Sequence, residues 1–170
     1  MSESYYAGGR KVELDRDDSY VAVVEDAAEQ AGLDAQVKTA TRDSQRGGGG
    51  VLLVDRSALD EKVLTSLRDA GALQPVYRND QAVMVALPEV RVEFDSAEEQ
   101  QSVMDALAAK DAVPHKISQS TDYGMVVQPL SGKGEDALKL ANDIQERAHP
   151  AAASVHFVQF VPRRDLRSKR

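Results

Sequence analysis

Glu89-Val90-Arg91-Val92-Glu93-Phe94, followed by Ser96-Ala97-Glu98-Glu99, decides how this 170-residue chain is read. Val90, Val92 and Phe94 alternate with Arg91 and Glu93, the period-two pattern of a strand with one buried face. Ser96 with Glu99 three residues later is a capping box, so a helix starts directly after that strand. Val103, Met104, Leu107 and Ala108 supply its buried side. His115 to Gln119 and Met125 to Gln128 are expected as two strands joined by the turn Thr121-Asp122-Tyr123-Gly124. A second helix follows, with Ala137, Leu140, Ala141, Ile144 and Ala148 on one face. Pro150 stops it, and Val155 to Val161 is the last strand.

From Pro88 to Val161 the order is therefore strand, helix, strand, strand, helix, strand. That βαββαβ order is the ferredoxin-like pattern, an α+β fold. The preceding residues follow a similar plan. Lys11-Val12-Glu13-Leu14 alternates like a short edge strand, and Tyr20 to Val24 is rich in β-formers. Asp26 and Glu29 stand as N-cap and third helical position of a helix with Ala27, Ala31, Leu33 and Val37, whose middle Gly32 weakens. Val37 to Thr41 continues that helix or forms a short strand. Val51 to Val54 is a strand. Ser57 is expected to cap a helix running to about Ala70, with Leu59, Val63, Leu67 and Ala70 as its stripe, widened by Leu64, and Gly71 past its end. Pro75 to Tyr77 and Gln81 to Leu87 are strands around the turn residues Arg78-Asn79-Asp80.

The halves look like copies. Asp26-Ala27-Ala28-Glu29-Gln30 resembles Ser96-Ala97-Glu98-Glu99-Gln100, and Gly50 to Val54 corresponds to Gly124 to Gln128, with Ser57 and Ser131 as the following caps. Val76-Tyr77-Arg78 matches Val155-His156-Phe157. The expected architecture is two tandem ferredoxin-like units with antiparallel sheets and helices on one face. They span 1–87 and 88–162, and a basic tail spans 163–170. The competing explanation is that short apolar patterns recur in any two α+β segments.

Each such sheet leaves one face without helices, and something must cover it where it is apolar. On the last strand Val155, Phe157 and Val161 occupy one side and His156, Val158 and Phe160 the other, so both sides are largely apolar. Packing on the first unit, pairing with a second copy of the chain (a homodimer) and docking of a partner protein are the three open covers.

Composition narrows the function. A hydrophobic fraction of 42% with 29% charged residues is that of a folded globular chain. A formal charge of -7 disfavours nucleic acid as a partner of the body of the protein. No cysteine is present, which excludes disulfides, a thiol nucleophile and thiolate metal sites. The N-terminus lacks the basic and apolar regions of a secretion signal, and no apolar run is long enough for a bilayer, so no membrane contact and a cytoplasmic location are expected.

Catalytic and cofactor motifs find little footing, so the expectation is a non-enzyme without cofactor. His115, His149 and His156 are widely separated, with no i, i+4 pair for zinc. Asp95, Glu98 and Glu99 suit the positive end of a helix better than an acid/base pair. No Gly-x-Ser-x-Gly elbow occurs. Gly47 to Gly50 lacks the frame of a phosphate loop and reads as a flexible connection.

Three stretches carry a family likeness: the opening Tyr5-Tyr6-Ala7-Gly8-Gly9-Arg10-Lys11-Val12, the middle Pro75 to Arg78 with Glu89 to Phe94, and the closing Ser154 to Pro162. Together they resemble the N-terminal prodomain-like regions of bacterial subtilisin-like serine proteases. The resemblance implies a ferredoxin-like fold whose open sheet face packs on the protease, followed by a segment that lies in the substrate cleft and inhibits or assists folding. Carried over, the partner contact uses Phe157, Val158 and Phe160, then Val161, Pro162, Arg163 and Arg164. The protease signatures themselves are absent, so the resemblance implies a partner in cis or in trans. A small-molecule-sensing domain resembling ACT domains, or a general interaction adaptor, is the alternative. The loops at Glu25-Asp26 and Asp95-Ser96 lack the glycine that the ACT reading favours.

Overall fold

The computed structural model describes residues 2–7, 9–40, 45–46, 50–79 and 82–160. The fold is mixed α+β, and every strand pairing among the described residues is antiparallel. In chain order the elements are β1 (Ser2–Ala7), β2 (Arg10–Arg16), β3 (Tyr20–Val24), α1 (Glu25–Gln30), α2 (Asp34–Ala40), β4 (Gln45–Arg46) and β5 (Val51–Asp55). A 3-10 turn at Arg56–Ala58 precedes α3 (Glu61–Asp69), β6 (Leu73–Gln74), β7 (Val76–Asn79), β8 (Ala82–Glu93) and α4 (Ala97–Leu107). β9 (His115–Ser120), β10 (Gly124–Pro129), α5 (Gly134–Ala148) and β11 (Ala152–Phe160) complete it.

Two sheets result. The smaller has the order β4-β5-β3-β6. The larger runs β1-β2-β7-β8-β10-β9, with β11 on the free edge of β8. Around the second half of β8 the order is β11-β8-β10-β9, so both sheets place the first and third strands of their segment in the middle.

β8 organises the larger sheet. The sequence suggests a strand ending at Leu87 and another starting near Val90, but these are one twelve-residue strand. On one edge β7 pairs with Ala82 to Val85 and β10 with Val90 to Glu93. On the other edge the β11 register shifts between Val155 and Phe157. Leu87, Pro88 and Glu89 therefore fall in a gap on both sides, and a proline without an N–H is tolerated there.

Alternation along β8 then sorts its side chains into two layers. Met84, Ala86, Val90 and Val92 join Val103, Leu107, Leu140, Ala141 and Ile144 in a core beneath α4 and α5. Val83 and Val85 point the other way and meet Ala22, Val51 and Leu53 of the smaller sheet, together with Val76, Val158 and Phe160. The far side of the smaller sheet is closed by Ala28, Val37, Leu64 and Leu67 from α1, α2 and α3. The molecule is layered helices, sheet, sheet, helices.

Several local expectations change. Gly32 is not a weak point inside one helix: its φ of 74° is left-handed, and it separates α1 from α2. Helix α1 begins at Glu25 with no side-chain cap, so Asp26 lies in the first turn and not at the N-cap. Helix α3 starts later than Ser57, because Asp55 accepts from Ser57 N–H to close the 3-10 turn and Asp60 caps α3 itself. Lys133, not Ser131, is the N-cap of α5. Lys11 to Leu14 lies in β2 and pairs with β1, while only Asp15 and Arg16 of that strand pair with β7. Met104 and Ala108 are exposed on α4, where the capping role of Ser96 holds, with its hydroxyl accepting from Glu99 N–H at 3.1 Å.

Candidate functional site

β11 pairs with β8 along nearly its whole length, from Ala152 opposite Glu93 to Phe160 opposite Val83. Its residues divide by parity. Ala153 and Val155 lie in the core under α4 and α5, and Phe157 packs partly buried at its margin. There Phe157 meets the Tyr5 ring edge-on, with centroids 5.1 Å apart. Val158 and Phe160, 6% and 4% exposed, lie between the sheets against Ala22, Val51 and Leu53.

This placement corrects part of the docking surface drawn from sequence. Val158 and Phe160 are interior side chains, because the first half of the chain covers the apolar part of the larger sheet. Val161, Pro162, Arg163 and Arg164 lie outside the described residues. Of the named contact residues, only Phe157 is both described and partly accessible, and β1 leans over it.

The part of the sheet that the first half does not reach has a different character. Glu93 pairs with Gly124 and Ala152, and Arg91 with Val126 and Ser154. Gln119 opposes Val126 and Lys116 opposes Gln128. Arg91 donates to Glu89 Oε1 at 3.1 Å, and His156 Nδ1 lies 3.9 Å from the same oxygen. This face is polar and needs no cover, which the alternation of Glu89, Arg91 and Glu93 already signals in sequence.

Where the two halves meet, Gln74 is the one buried polar residue among those described. It donates to the Gly132 carbonyl at 2.9 Å and accepts from the Gly134 N–H at 2.8 Å. One side chain of β6 thereby satisfies an orphan donor in the first turn of α5. Gly134 lies so close to β8 that a Cβ there would be 2.0 Å from the Ala86 carbonyl oxygen. No sequence motif marks Gln74, since a lone glutamine after an apolar residue carries no periodic signal.

The β1–β2 hairpin folds beside α5. Tyr6 donates to Glu146 Oε1 at 2.9 Å, Asn142 donates to the Ser4 carbonyl at 2.7 Å, and Arg16 pairs with Glu135 at 3.0 Å. Arg16 also stacks over the Tyr77 ring, 5.7 Å from its centroid. The Tyr77 hydroxyl and the Glu3 carboxylate are buried beside each other. Burial first, and then the nearby Glu3 carboxylate, push the Tyr77 pKa far above the usual phenol range. Tyr77 is therefore a neutral side chain at neutral pH and no base.

The histidines stay apart, His115 on β9 with Nδ1 2.8 Å from the Val113 carbonyl, His149 at the left-handed end of α5 and His156 on β11. Among the described residues no three His, Cys, Asp or Glu side chains are grouped to hold a metal ion, and no helix is long and apolar enough to cross a membrane. Comparison with protein-family models, curated proteins and solved structures returned no match.

Proposed function

We propose that the chain is a pair of ferredoxin-like units acting as a non-catalytic protein-binding module, which engages a subtilisin-like serine protease in cis or in trans as inhibitor, folding aid or docking domain. The strand order shared by the two sheets supports the tandem reading. The observation that carries the binding role is the anchoring of β11. The strand is paired along β8 and packed on both faces, so the segment that begins at Val161 leaves from a rigid base. Fixing the base lowers the entropy lost when such a segment is ordered in a partner's cleft. With Val158 and Phe160 committed to the interior, the contacts fall to Val161, Pro162, Arg163 and Arg164 and to the polar face around Glu89, Arg91 and His156.

Titration of the purified chain into subtilisin-type proteases, read by hydrolysis of a chromogenic peptide and by recovery of activity after denaturation, tests this. Saturable inhibition or faster recovery is expected. A chain ended after Phe160 should lose at least about tenfold in affinity, the equivalent of about 1.4 kcal/mol. Absence of binding to every such protease, one encoded beside this chain included, would overturn the proposal.

A further inference from the structure

Between the two halves lies a cleft of about 430 Å³, walled by the end of α3, the 3-10 turn and β6 on one side and by Ser131, Gly132, Lys133 and Glu135 on the other. Its volume is within the range of small-ligand sites, and its position between two units is where such sites occur. Three of its charged groups are committed. Glu135 holds Arg16, and Asp17 accepts from Arg78 at 2.7 Å and from the Ser19 hydroxyl. Five are not. Arg56, Arg68 and Lys133, with Asp18 and Asp69, line the cleft and have no ion pair or side-chain hydrogen bond among the described residues.

Three cations and two carboxylates, none of them paired among the described residues, therefore share one recess of a protein of net charge -7. Arg56, Arg68, Asp18 and Asp69 come from the first half and Lys133 from the second, and together they suit a ligand that carries both signs, with the anionic groups in excess by one. A simple polyanion would meet Asp18 and Asp69 with like charge, and a cation would meet Arg56, Arg68 and Lys133. We propose that this cleft binds a small amino dicarboxylate, an acidic amino acid, with its carboxylates on Arg56, Arg68 and Lys133 and its ammonium on Asp18 or Asp69. The site is independent of the protease reading. A bound molecule touches both halves, so it also tightens the seam that Gln74 closes.

L-Glutamate and L-aspartate are the probes, added to the full chain at low ionic strength and followed through the amide NMR signals of Gly71, Gly132 and Lys133. Saturable shifts with a dissociation constant in the millimolar range are expected, since each partly exposed charge contributes modestly. Glutarate, which lacks the ammonium, should bind more weakly, and L-lysine should leave these signals in place. Arg68→Gln and Lys133→Gln alter exposed side chains without threatening the fold, and each should weaken glutamate binding by about threefold. Lys116→Gln on β9 should leave it unchanged. No saturable shift, equal response to lysine, or indifference to both cleft substitutions would each refute the site, whatever the outcome of the protease titration.

Discussion

At Gly134 two local preferences pull in opposite directions. Helix propensity favours alanine over glycine by about 1 kcal/mol, so an open helix start would gain from Gly134→Ala. Here the added Cβ would meet the Ala86 carbonyl oxygen at 2.0 Å, and backbone of a central strand does not yield easily. Overpacking of this kind costs roughly 1–3 kcal/mol or more. Gly134→Ala should therefore destabilise by about 2 kcal/mol or more in urea unfolding, and a neutral or stabilising result would contradict the contact. Asp17 gives a second residue-scale test. Burial raises its pKa, but hydrogen bonds from Ser19 and Arg78 outweigh that and hold it below the ordinary carboxylate value. The stabilisation is thus present above the unfolded-state pKa, near 4, and is lost as pH falls through the lower folded-state value. Asp17→Asn should lower stability at pH 7 and flatten its decline below about pH 4, as measured by unfolding midpoints across that range.

β11 is the element on which the surface and interior readings differ most. If Phe160 were an exposed docking side chain, Phe160→Ala would cost less than about 0.5 kcal/mol of stability. Buried between the sheets, it should cost about 3–5 kcal/mol, as chemical denaturation of the two proteins would establish. Elements of this kind were largely legible in the sequence. The alternation of Val90, Val92 and Phe94 and the stripe of Leu140, Ala141 and Ile144 gave their strand and helix directly, because periodicity reports burial. What the pattern could not convey is which layer buries a residue. Val158 and Phe160 are apolar on the face opposite Val155, and the same pattern suits a partner protein, a second copy or the first half of the chain. β1 and β6 were missed for related reasons. Tyr5-Tyr6 lacks an alternating apolar neighbour, and a two-residue strand such as Leu73–Gln74 has no period to detect. The continuity of β8 through Pro88 is likewise not legible, since only the registers of β7, β10 and β11 show the gap that accommodates a proline there.

For the molecule as a whole, β8 and β11 decide whether the halves are separable. A repeat of two self-sufficient units would unfold in two steps, each exposing its own core. Here Val83, Val85, Val158 and Phe160 belong to strands of the larger sheet yet form a common layer with Ala22, Val51 and Leu53 of the smaller one. The same β8 carries Met84, Ala86, Val90 and Val92 into the core under α4 and α5. Loss of the first half would bare the layer between the sheets, and loss of the second would bare the back of β3 and β5. Neither intermediate keeps its apolar surface from water, so both are disfavoured relative to the fully folded and fully unfolded states. Differential scanning calorimetry should accordingly give one transition with equal calorimetric and van't Hoff enthalpies, of about 100 kcal/mol for a chain of this size. Val51→Ala, on the smaller sheet, should shift that one transition downward without splitting it. Two transitions, with only the earlier one moved by Val51→Ala, would mean that the two halves fold independently despite their shared layer.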